Sequence, residues 1–372
     1  MFDFIPIQIY SPIFHYTVLL LVVFTSAQCY SGNVLDEKVS RQYRSMGVVL
    51  MLLLTLYIGL RPIRGVFGDT VNYASTFQGY MDDGRPFYWE NLGSEWLFYN
   101  ALHFFAKFAD IHTFFLLCAA VYVVSLWSAM DRIFKNYNFI PFLVLVSMFT
   151  FWNYGVNGVR NGMGASLFIL AMTYVQRLPV AAVLCALAVG IHSSVLLMIG
   201  AAVVGWFYKN SYHYLALWGA CVLLSLVAGG TIQSYLAGFS MFGEDERLSA
   251  YLTGEAQAGE IIQTSMRFRW DFLLYSSMGV IVGWYFIFKQ NFRDEYYHWI
   301  YNTFLMTNAF WVLIIRASYS NRFAQISWFI MPVVLIYPFL KRRFWPDHEQ
   351  KLGGALLLFY AFTFYFNIIK GG

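Results

Sequence analysis

Charged residues are scarce in this chain of 372 residues, at 12% of the total, and its net charge at neutral pH is only +4. A soluble domain carries roughly 25% charged residues. Hydrophobic residues make up 59% of the chain, and the mean hydropathy is +0.55. The shortage of charge argues against an ordinary soluble enzyme and predicts an all-α polytopic membrane protein. The lack of a basic patch likewise predicts no nucleic-acid partner.

Cysteine is rare and forms no recognisable site. The four cysteines lie in apolar runs without CxxC spacing, at Cys29, Cys118, Cys185 and Cys221. They predict packing residues, and neither disulfides nor metal ligands. The chain also lacks a P-loop, a GxGxxG unit, an HExxH motif and a GxSxG motif. We therefore expect no cofactor, and chemistry that uses polar groups at the membrane face with a substrate delivered by lipid.

Aromatic residues, in contrast, are abundant. They make up 20% of the chain, as 37 Phe, 27 Tyr and 12 Trp. Many are expected in belts at the two membrane interfaces. Others could line a cavity that binds sugars, although the sequence does not single them out.

Apolar runs of spanning length recur along the chain, at about 11–30, 46–60, 113–130, 139–153, 162–177, 213–236, 271–289, 299–315, 322–340 and 352–369. They predict a single integral membrane domain over residues 1–372 with about 10–12 transmembrane helices. Two segments differ from this pattern. Residues 95–108 are amphipathic and indicate an external interfacial helix. Residues 179–207 indicate two short helices that meet near Gly190–Ser194.

The distribution of basic residues predicts which side each loop faces. With Lys38–Arg44 in the cytoplasm, the cytoplasmic loops hold 13 of the 24 basic residues, including six of the eight lysines. The external side then has nine arginines and two lysines, and its large loops span about 61–95 and 237–270. Because arginine binds phosphate and carboxylate in a bidentate manner, this excess predicts an anionic ligand at the external face.

One arginine lies where a membrane protein usually avoids charge. Arg160 opens a long apolar run, and i, i+3/i+4 spacing places Asn157, Arg160 and Gly164 on one helical face. Gly158 and Gly162 form a small-xxx-small pair that permits close helix packing. The pattern predicts an arginine that faces a polar cavity and binds an anionic, lipid-borne substrate. The alternative is an arginine that extends to the membrane interface.

His192 interrupts another apolar run, between Gly190 and the serine pair Ser193–Ser194. A histidine with its ordinary pKa near 6.5 can remove a proton from a hydroxyl at neutral pH. His192 is therefore a candidate general base. The alternative is a histidine that forms a hydrogen bond between packed helices.

Further candidate phosphate ligands lie at the external ends of later spans. Arg267 and Arg269 alternate just outside one span, where two guanidinium groups can bind a pyrophosphate. Asn321 and Arg322 lie at the external end of another. The alternative for these arginines is an interfacial anchor, with Asp271 as the partner of one of them.

The first external loop carries Asp69 and Tyr73. A carboxylate at this point could bind a sugar hydroxyl, orient a base or bind a cation, and a structural turn is the alternative. The acidic clusters Asp82–Asp83 and Glu244–Glu246 lack DxD spacing and are typical of solvated loops. We therefore predict no metal site.

Taken in order, these motifs resemble the EpsG family of Wzy-type polysaccharide polymerases. The resemblance covers roughly residues 55–340 and rests on the ordered set Arg61-x-x-Arg64, Asp69-x-x-x-Tyr73, Asn157-x-x-Arg160-x-Gly162, His192-x-Ser194 and Asn321-Arg322. The family in turn is similar to the GT-C class of lipid-linked glycosyltransferases, and to the O-antigen ligases in particular.

The resemblance implies a multi-pass protein of the bacterial inner membrane with its active site at the periplasmic face. The donor would be an oligosaccharide linked to undecaprenyl pyrophosphate, and the acceptor a second lipid-linked repeat unit of an O-antigen, capsule or exopolysaccharide. Membrane lipid surrounds the enzyme, and a chain-length regulator is a possible partner protein. The reaction would be metal-independent and would invert the anomeric centre.

The resemblance also implies roles for the candidate residues. Arg160 and Arg322 would bind the donor pyrophosphate, together with Arg267 or Arg269. His192 would act as the general base. Asp69 would be catalytic together with Arg160 and His192, and with Tyr73 it would shape the sugar pocket. Arg64, Asn157 and Asn321 would bind the substrate.

Three other functions are compatible with the sequence. A different GT-C enzyme would use a lipid monophosphate sugar and a metal ion held by Asp69. A flippase or transporter of lipid-linked oligosaccharides would spread its charge pairs through two similar halves, whereas here the polar residues cluster on one side. A membrane acyltransferase also uses a histidine within the membrane, but it would not explain the external arginines.

Overall fold

The structure is a computed structural model that describes residues 2–32, 34–237, 268–317 and 320–370. Within these ranges the chain folds into helices and contains no strand. The prediction of an all-α polytopic membrane protein is confirmed.

The α-helices are numbered in chain order. Those in the first half of the chain are α1 (Ile7–Ser31), α2 (Glu37–Gly59), α3 (Thr70–Asp82), α4 (Trp96–Ala106), α5 (Ile111–Phe134), α6 (Phe139–Val146), α7 (Phe151–Val156), α8 (Val159–Met172) and α9 (Leu178–Ile191). Those in the second half are α10 (Val195–Phe207), α11 (Ser211–Ala237), α12 (Trp270–Trp284), α13 (Glu295–Leu313), α14 (Ser320–Trp328), α15 (Met331–Lys341) and α16 (His348–Phe364). Short 3₁₀ turns at Gly65–Phe67 and Gly93–Glu95 precede α3 and α4.

Among the described residues, seven helical segments are long and apolar enough to cross a membrane. They are Ile7–Ser31, Lys38–Gly59, Ile111–Phe134, Ser211–Gly229, Trp270–Lys289, Phe323–Lys341 and His348–Ile369. Three shorter apolar helices, α8, α9 and α10, have 13 or 14 residues each. At 1.5 Å per residue they extend about 20 Å, less than the ~30 Å hydrocarbon core of a bilayer.

The chain divides into two compact units. The first comprises Met1–Ile199 and Phe339–Gly372, and the second comprises Gly200–Pro338. In the second unit α13 packs against α11 and α14. In the first unit α5 packs against α2 and α8, α8 packs against α9, and α1 packs against α16.

Acidic side chains fix where several long helices begin. Asp36 accepts a hydrogen bond from the backbone N–H of Lys38 at 2.9 Å, and Asp110 accepts one from Thr113 at 2.7 Å. These bonds satisfy amide groups that the first turn of a helix leaves without partners. The scarce charges of the chain thus define the polar ends of α2 and α5.

The 179–207 segment folds as predicted, into two short helices with a break near Gly190–Ser194. Helix α9 ends at Ile191, and α10 starts at Val195. His192 has an extended backbone conformation at the break, with φ −157° and ψ 120°. Its side chain therefore projects from a helix end and not from the middle of a continuous helix.

The start of α8 differs from the prediction. The helix begins at Val159, so Asn157 lies in the turn after α7 and not on the same helical face as Arg160 and Gly164. Gly158 and Gly162 do permit close packing, because a Cβ atom at Gly162 would lie 2.6 Å from the backbone oxygen of Tyr154.

Residues 61–95, predicted as an external loop, contain α3 and both 3₁₀ turns. The predicted helix over 95–108 corresponds to α4, whose 11 residues extend about 16 Å and are too few to span a bilayer. Its position at the membrane interface remains a prediction. Most of the second predicted loop, residues 238–267, lies outside the described residues.

We predict that Gly162→Ala destabilises the protein by about 1–3 kcal/mol, because the added methyl group collides with backbone that cannot move away easily. The measurement is the unfolding free energy in mixed micelles. Gly79→Ala is the matched control, since Gly79 lies in α3 and a Cβ atom there would contact nothing beyond the adjacent backbone of its own helix. The control should be neutral or stabilising, and equal effects of the two substitutions would contradict the packing argument.

Candidate functional site

One carboxylate joins the two strongest candidates from the sequence. Glu95 forms an ion pair through Oε2 with Nη1 of Arg160, and its Oε1 lies 2.6 Å from Nδ1 of His192. The side chains are largely buried, with 11% of Arg160 and 18% each of Glu95 and His192 exposed. The three residues come from the turn before α4, the first turn of α8 and the end of α9. They form the triad of the first unit.

Close packing against Gly190 positions Glu95. The turn Gly93–Glu95 and α4 both contact α9. A Cβ atom at Gly190 would lie 2.9 Å from Cζ2 of Trp96 and 3.1 Å from Cβ of Leu97. Gly190 therefore lets the start of α4 lie close to the end of α9 without displacing Trp96, and His192 follows two residues later.

A second glycine positions Arg160. A Cβ atom at Gly164 would lie 2.8 Å from the Val195 side chain, 3.3 Å from the Ala188 oxygen and 3.6 Å from Cβ of His192. Gly164 therefore lets α8 pack against the α9–α10 break. Arg160 lies one turn earlier on the same face of α8, which brings its guanidinium group to Glu95.

Two tyrosines complete the surroundings of the guanidinium group. Nε of Arg160 donates to the Tyr73 hydroxyl at 3.0 Å, and Nη1 donates to the Tyr99 hydroxyl at 3.2 Å. The Arg160 guanidinium also lies 5.5–5.8 Å from the ring centres of Tyr73, Phe98 and Tyr99. Among the described residues, its Nη2 carries no hydrogen bond, so the guanidinium keeps one donor group for a ligand.

Burial raises the pKa of Tyr73 to about 12. The phenol therefore stays protonated at neutral pH and cannot act as a base there. Since its oxygen accepts the bond from Arg160, its own proton remains for donation to another oxygen atom.

The α9–α10 break also contacts α8 through a second polar pair. The Ser194 hydroxyl donates to Oδ1 of Asn161 at 3.2 Å. Asn161 follows Arg160 in the first turn of α8, and Ser194 follows His192 in the break. The polar groups of the two segments are thus aligned side by side.

The family model of the EpsG family matches residues 45–372. The chain belongs to the EpsG family. This is a family of Wzy-like polysaccharide polymerases, so the sequence-based resemblance is confirmed. No curated protein and no solved structure matches the chain.

The structure gives the other candidates of the first unit local contacts or an exposed position. Asn157 accepts the backbone N–H of Asp69 at 2.9 Å and thereby ties the turn before α8 to the start of α3. The Asp69 carboxylate lies 3.5 Å from the Asn72 amide, one helical turn before Tyr73. Arg64 is exposed. Their predicted roles in substrate binding remain predictions.

Arg61, counted among the external arginines, is part of the protein interior. Its side chain is 1% exposed, donates to the Thr70 hydroxyl and to the Ile58 carbonyl, and lies 4.4 Å from the Phe115 ring centre. At least one of the arginines predicted at the external face therefore stabilises the fold, and ligand binding remains the prediction for the others.

The remaining arginine candidates belong to the second unit. Arg269 forms two hydrogen bonds with Asp271, at 3.0 and 2.9 Å, as the alternative interpretation proposed. Arg267 lies outside the described residues. Asn321 and Arg322 lie in the first turn of α14, and their side chains are outside what the structure describes. The predicted contacts of these residues with pyrophosphate stay predictions.

The four cysteines are free in the structure. Cys29, Cys118 and Cys221 are buried, as expected of packing residues. Within the described ranges, no group of three or more His, Cys, Asp or Glu side chains could hold a metal ion.

The sequence-based reasoning missed Glu95. This residue falls at the boundary between the predicted loop and the predicted interfacial helix, and loop carboxylates are usually solvated. A signal was available, because an arginine and a histidine at membrane depth require a counter-charge. Tyr99, one turn later in α4, was missed as well.

We predict that Glu95 and Arg160 are energetically coupled by about 1–3 kcal/mol, since removal of either charge leaves the other buried and unpaired. The test is a double-mutant cycle with Glu95→Gln and Arg160→Met, measured as unfolding free energy in mixed micelles. The exposed pair Lys209–Glu295 is the control, and Lys209→Met with Glu295→Gln should show no measurable coupling. Additive effects of the two triad substitutions would contradict the ion pair.

Proposed function

We propose that this protein polymerises oligosaccharide repeat units linked to undecaprenyl pyrophosphate, by glycosyl transfer at the external face of the bacterial inner membrane. Membership in the EpsG family supports a polysaccharide polymerase. The observation that carries the proposal is the Glu95 carboxylate shared by Arg160 and His192. It supports the proposal because Arg160, the proposed phosphate ligand, and His192, the proposed base, share one partner, as transfer from a lipid pyrophosphate requires.

In this proposal Arg160 binds the pyrophosphate of the donor. Its Nη2 group and the Tyr73 hydroxyl supply two donors for phosphate oxygens. As the bond between the anomeric carbon and the phosphate oxygen breaks, negative charge grows on the leaving pyrophosphate. A guanidinium held in a largely buried position stabilises this charge strongly, because little water screens the interaction.

His192 removes the proton from the acceptor hydroxyl. Donation of its Nδ1 proton to Glu95 fixes the tautomer that has a lone pair on Nε2. The acceptor oxygen then attacks the anomeric carbon, its proton moves to Nε2, and undecaprenyl pyrophosphate departs. Glu95 stabilises the imidazolium that forms, in the way that a carboxylate supports histidine in hydrolytic triads. In-line attack inverts the anomeric centre, and no step requires a metal ion.

The shared carboxylate also links donor binding to proton transfer. In the substrate-free protein, Arg160 neutralises much of the charge on Glu95. A pyrophosphate that binds Arg160 competes with Glu95 for the guanidinium. The carboxylate is then left to interact mainly with His192, so it stabilises the imidazolium best when the donor is present.

A GT-C-like enzyme with this chemistry needs no site for a nucleotide sugar, because the lipid pyrophosphate linkage already activates the donor sugar. The acceptor is the non-reducing end of a second repeat unit. A chain-length regulator is compatible with this proposal as a partner protein.

We expect His192→Ala and Glu95→Gln to lower kcat by about 10²–10⁴-fold, since each removes part of the acid–base pair. Arg160→Lys should lower it by about 10-fold to 100-fold, because lysine keeps the charge but loses the bidentate geometry. The assay uses purified protein and lipid-linked repeat units extracted from cells in which this gene is deleted, with the glycan ladder as the readout.

Glu295→Gln is the control for this assay, since it removes an exposed carboxylate outside the triad and should leave the ladder unchanged. Full activity of Arg160→Lys would contradict the pyrophosphate contact, and loss of activity on addition of EDTA would contradict the metal-free reaction. If the wild-type protein forms no ladder but moves the lipid across liposomes, it is a flippase.

The external position of the triad is tested by cysteine labelling in a cysteine-free background. A membrane-impermeant maleimide added to intact cells, with the outer membrane permeabilised where one is present, should label Asp82→Cys and not Lys209→Cys. Both positions are exposed in the structure, and the charge distribution predicts opposite sides for them. The reverse labelling pattern would place the triad on the cytoplasmic side.

A further inference from the structure

A strongly exposed tryptophan lies on the irregular segment that leads into the triad. Trp89 is 61% exposed, and the preceding Tyr88 is 41% exposed. The Arg85 guanidinium lies 5.1 Å from the ring centre of Tyr88. A large aromatic ring that stays exposed to water does not gain the free energy that burial would provide. The exposure of Trp89 and Tyr88 therefore requires an explanation.

The backbone beside Trp89 is fixed. The side chain of Asn100, which is 1% exposed, accepts the Glu90 N–H at 2.9 Å and donates to the Glu90 carbonyl at 2.9 Å and to the Trp96 carbonyl at 2.8 Å. The Glu90 carboxylate also lies 2.9 Å from Nδ1 of the buried His103. Trp89 is thus an exposed ring on a rigid support, which costs little conformational entropy when a ligand binds.

A tilted aromatic pair connects this ring to the residue that follows Glu95 of the triad. The rings of Trp89 and Trp96 lie 5.4 Å apart at an angle of 50°. Trp96 directly follows Glu95 in the chain and packs against Gly190, two residues before His192. A ligand on Trp89 would therefore contact a ring whose packing partner, Trp96, is the chain neighbour of Glu95.

The surroundings of Trp89 favour a sugar over a lipid. Its segment is irregular and carries Asp83, Arg85 and Glu90, whereas backbone without regular hydrogen bonds avoids the hydrocarbon of a bilayer. A pyranose ring presents a face of C–H groups with partial positive charge, which packs on the negative face of an indole ring. The hydroxyl groups at the edge of the sugar stay in water or bind the charged side chains nearby.

We propose that Trp89 forms a glycan subsite that stacks one pyranose ring of the lipid-linked substrate, with Trp96 as its support. This inference rests on the proposed polymerase function and names the part of the protein that recognises the sugar. The subsite retains the glycan and takes no part in the bond changes at the anomeric carbon. Its loss should therefore weaken substrate binding and leave the chemical step unchanged.

The first test measures the kinetics of Trp89→Ala, Trp89→Leu and Trp89→Phe with the lipid-linked repeat units of the polymerase assay. Trp89→Ala and Trp89→Leu should raise KM by about threefold to tenfold with kcat within about twofold of the wild type, since an aromatic stack contributes about that much to affinity. Trp89→Phe should stay close to the wild type, because it keeps a ring face. Leucine keeps apolar bulk, so it separates stacking from simple burial.

Trp206→Ala is the matched control. Trp206 is 47% exposed and contacts Trp299 with ring centres 5.5 Å apart, so it resembles Trp89 as a half-exposed member of a tryptophan pair. It should leave KM unchanged. An unchanged KM in Trp89→Ala, an equal rise in Trp206→Ala, or a loss of kcat together with thermal stability would overturn the subsite, and the last result would identify Trp89 as a structural or interfacial anchor.

A second measurement separates this inference from the polymerase proposal. The oligosaccharide released from the same lipid by mild acid lacks the pyrophosphate, and its binding to the full-length protein is measured by calorimetry. Affinity that falls threefold to tenfold in Trp89→Ala supports the subsite, even if the wild-type protein fails to polymerise. Equal affinities of the wild type and Trp89→Ala would overturn the subsite and leave the polymerase function intact.

Discussion

A single carboxylate, that of Glu95, provides a polar partner for both Arg160 and His192 in the apolar interior of the first unit. Arg160 lies in the first turn of one short apolar helix and His192 directly after the end of another, where an unpaired charge costs several kcal/mol. Glu95 compensates both at once and brings together residues that are 65 and 97 positions away in the chain. The helices that carry these groups therefore cannot shift independently without exposing a charge to an apolar environment.

The approach of the helices depends on small residues. Gly164 brings α8 to the α9–α10 break, and Gly190 brings the start of α4 to the same point. Helices in lipid gain no hydrophobic free energy from association, so close packing and hydrogen bonds hold them together. The glycines thus serve the site directly, since every added methyl group would separate two members of the triad.

Periodicity and composition predicted much of this protein. The shortage of charge and the length of the apolar runs indicated an all-α membrane protein, and the unusual length of segment 179–207 indicated the two helices on either side of His192. The start of α8 was placed too early because Asn157 fits the helical spacing, although its side chain instead binds the backbone of Asp69. Spacing along a helix does not reveal a bond to a residue 88 positions away.

The sequence by itself determined which groups would be costly to bury, namely an arginine and a histidine in apolar surroundings, because that cost depends only on residue type and the runs beside them. It also determined the family, through the order of its motifs. Only the tertiary structure decided that Glu95 is the common partner of Arg160 and His192. It also decided that Arg61 is buried and that Trp89 is exposed on backbone held by Asn100. These facts depend on which helix ends meet in space, and the close packing that Gly164 and Gly190 allow leaves no periodic signal in the chain.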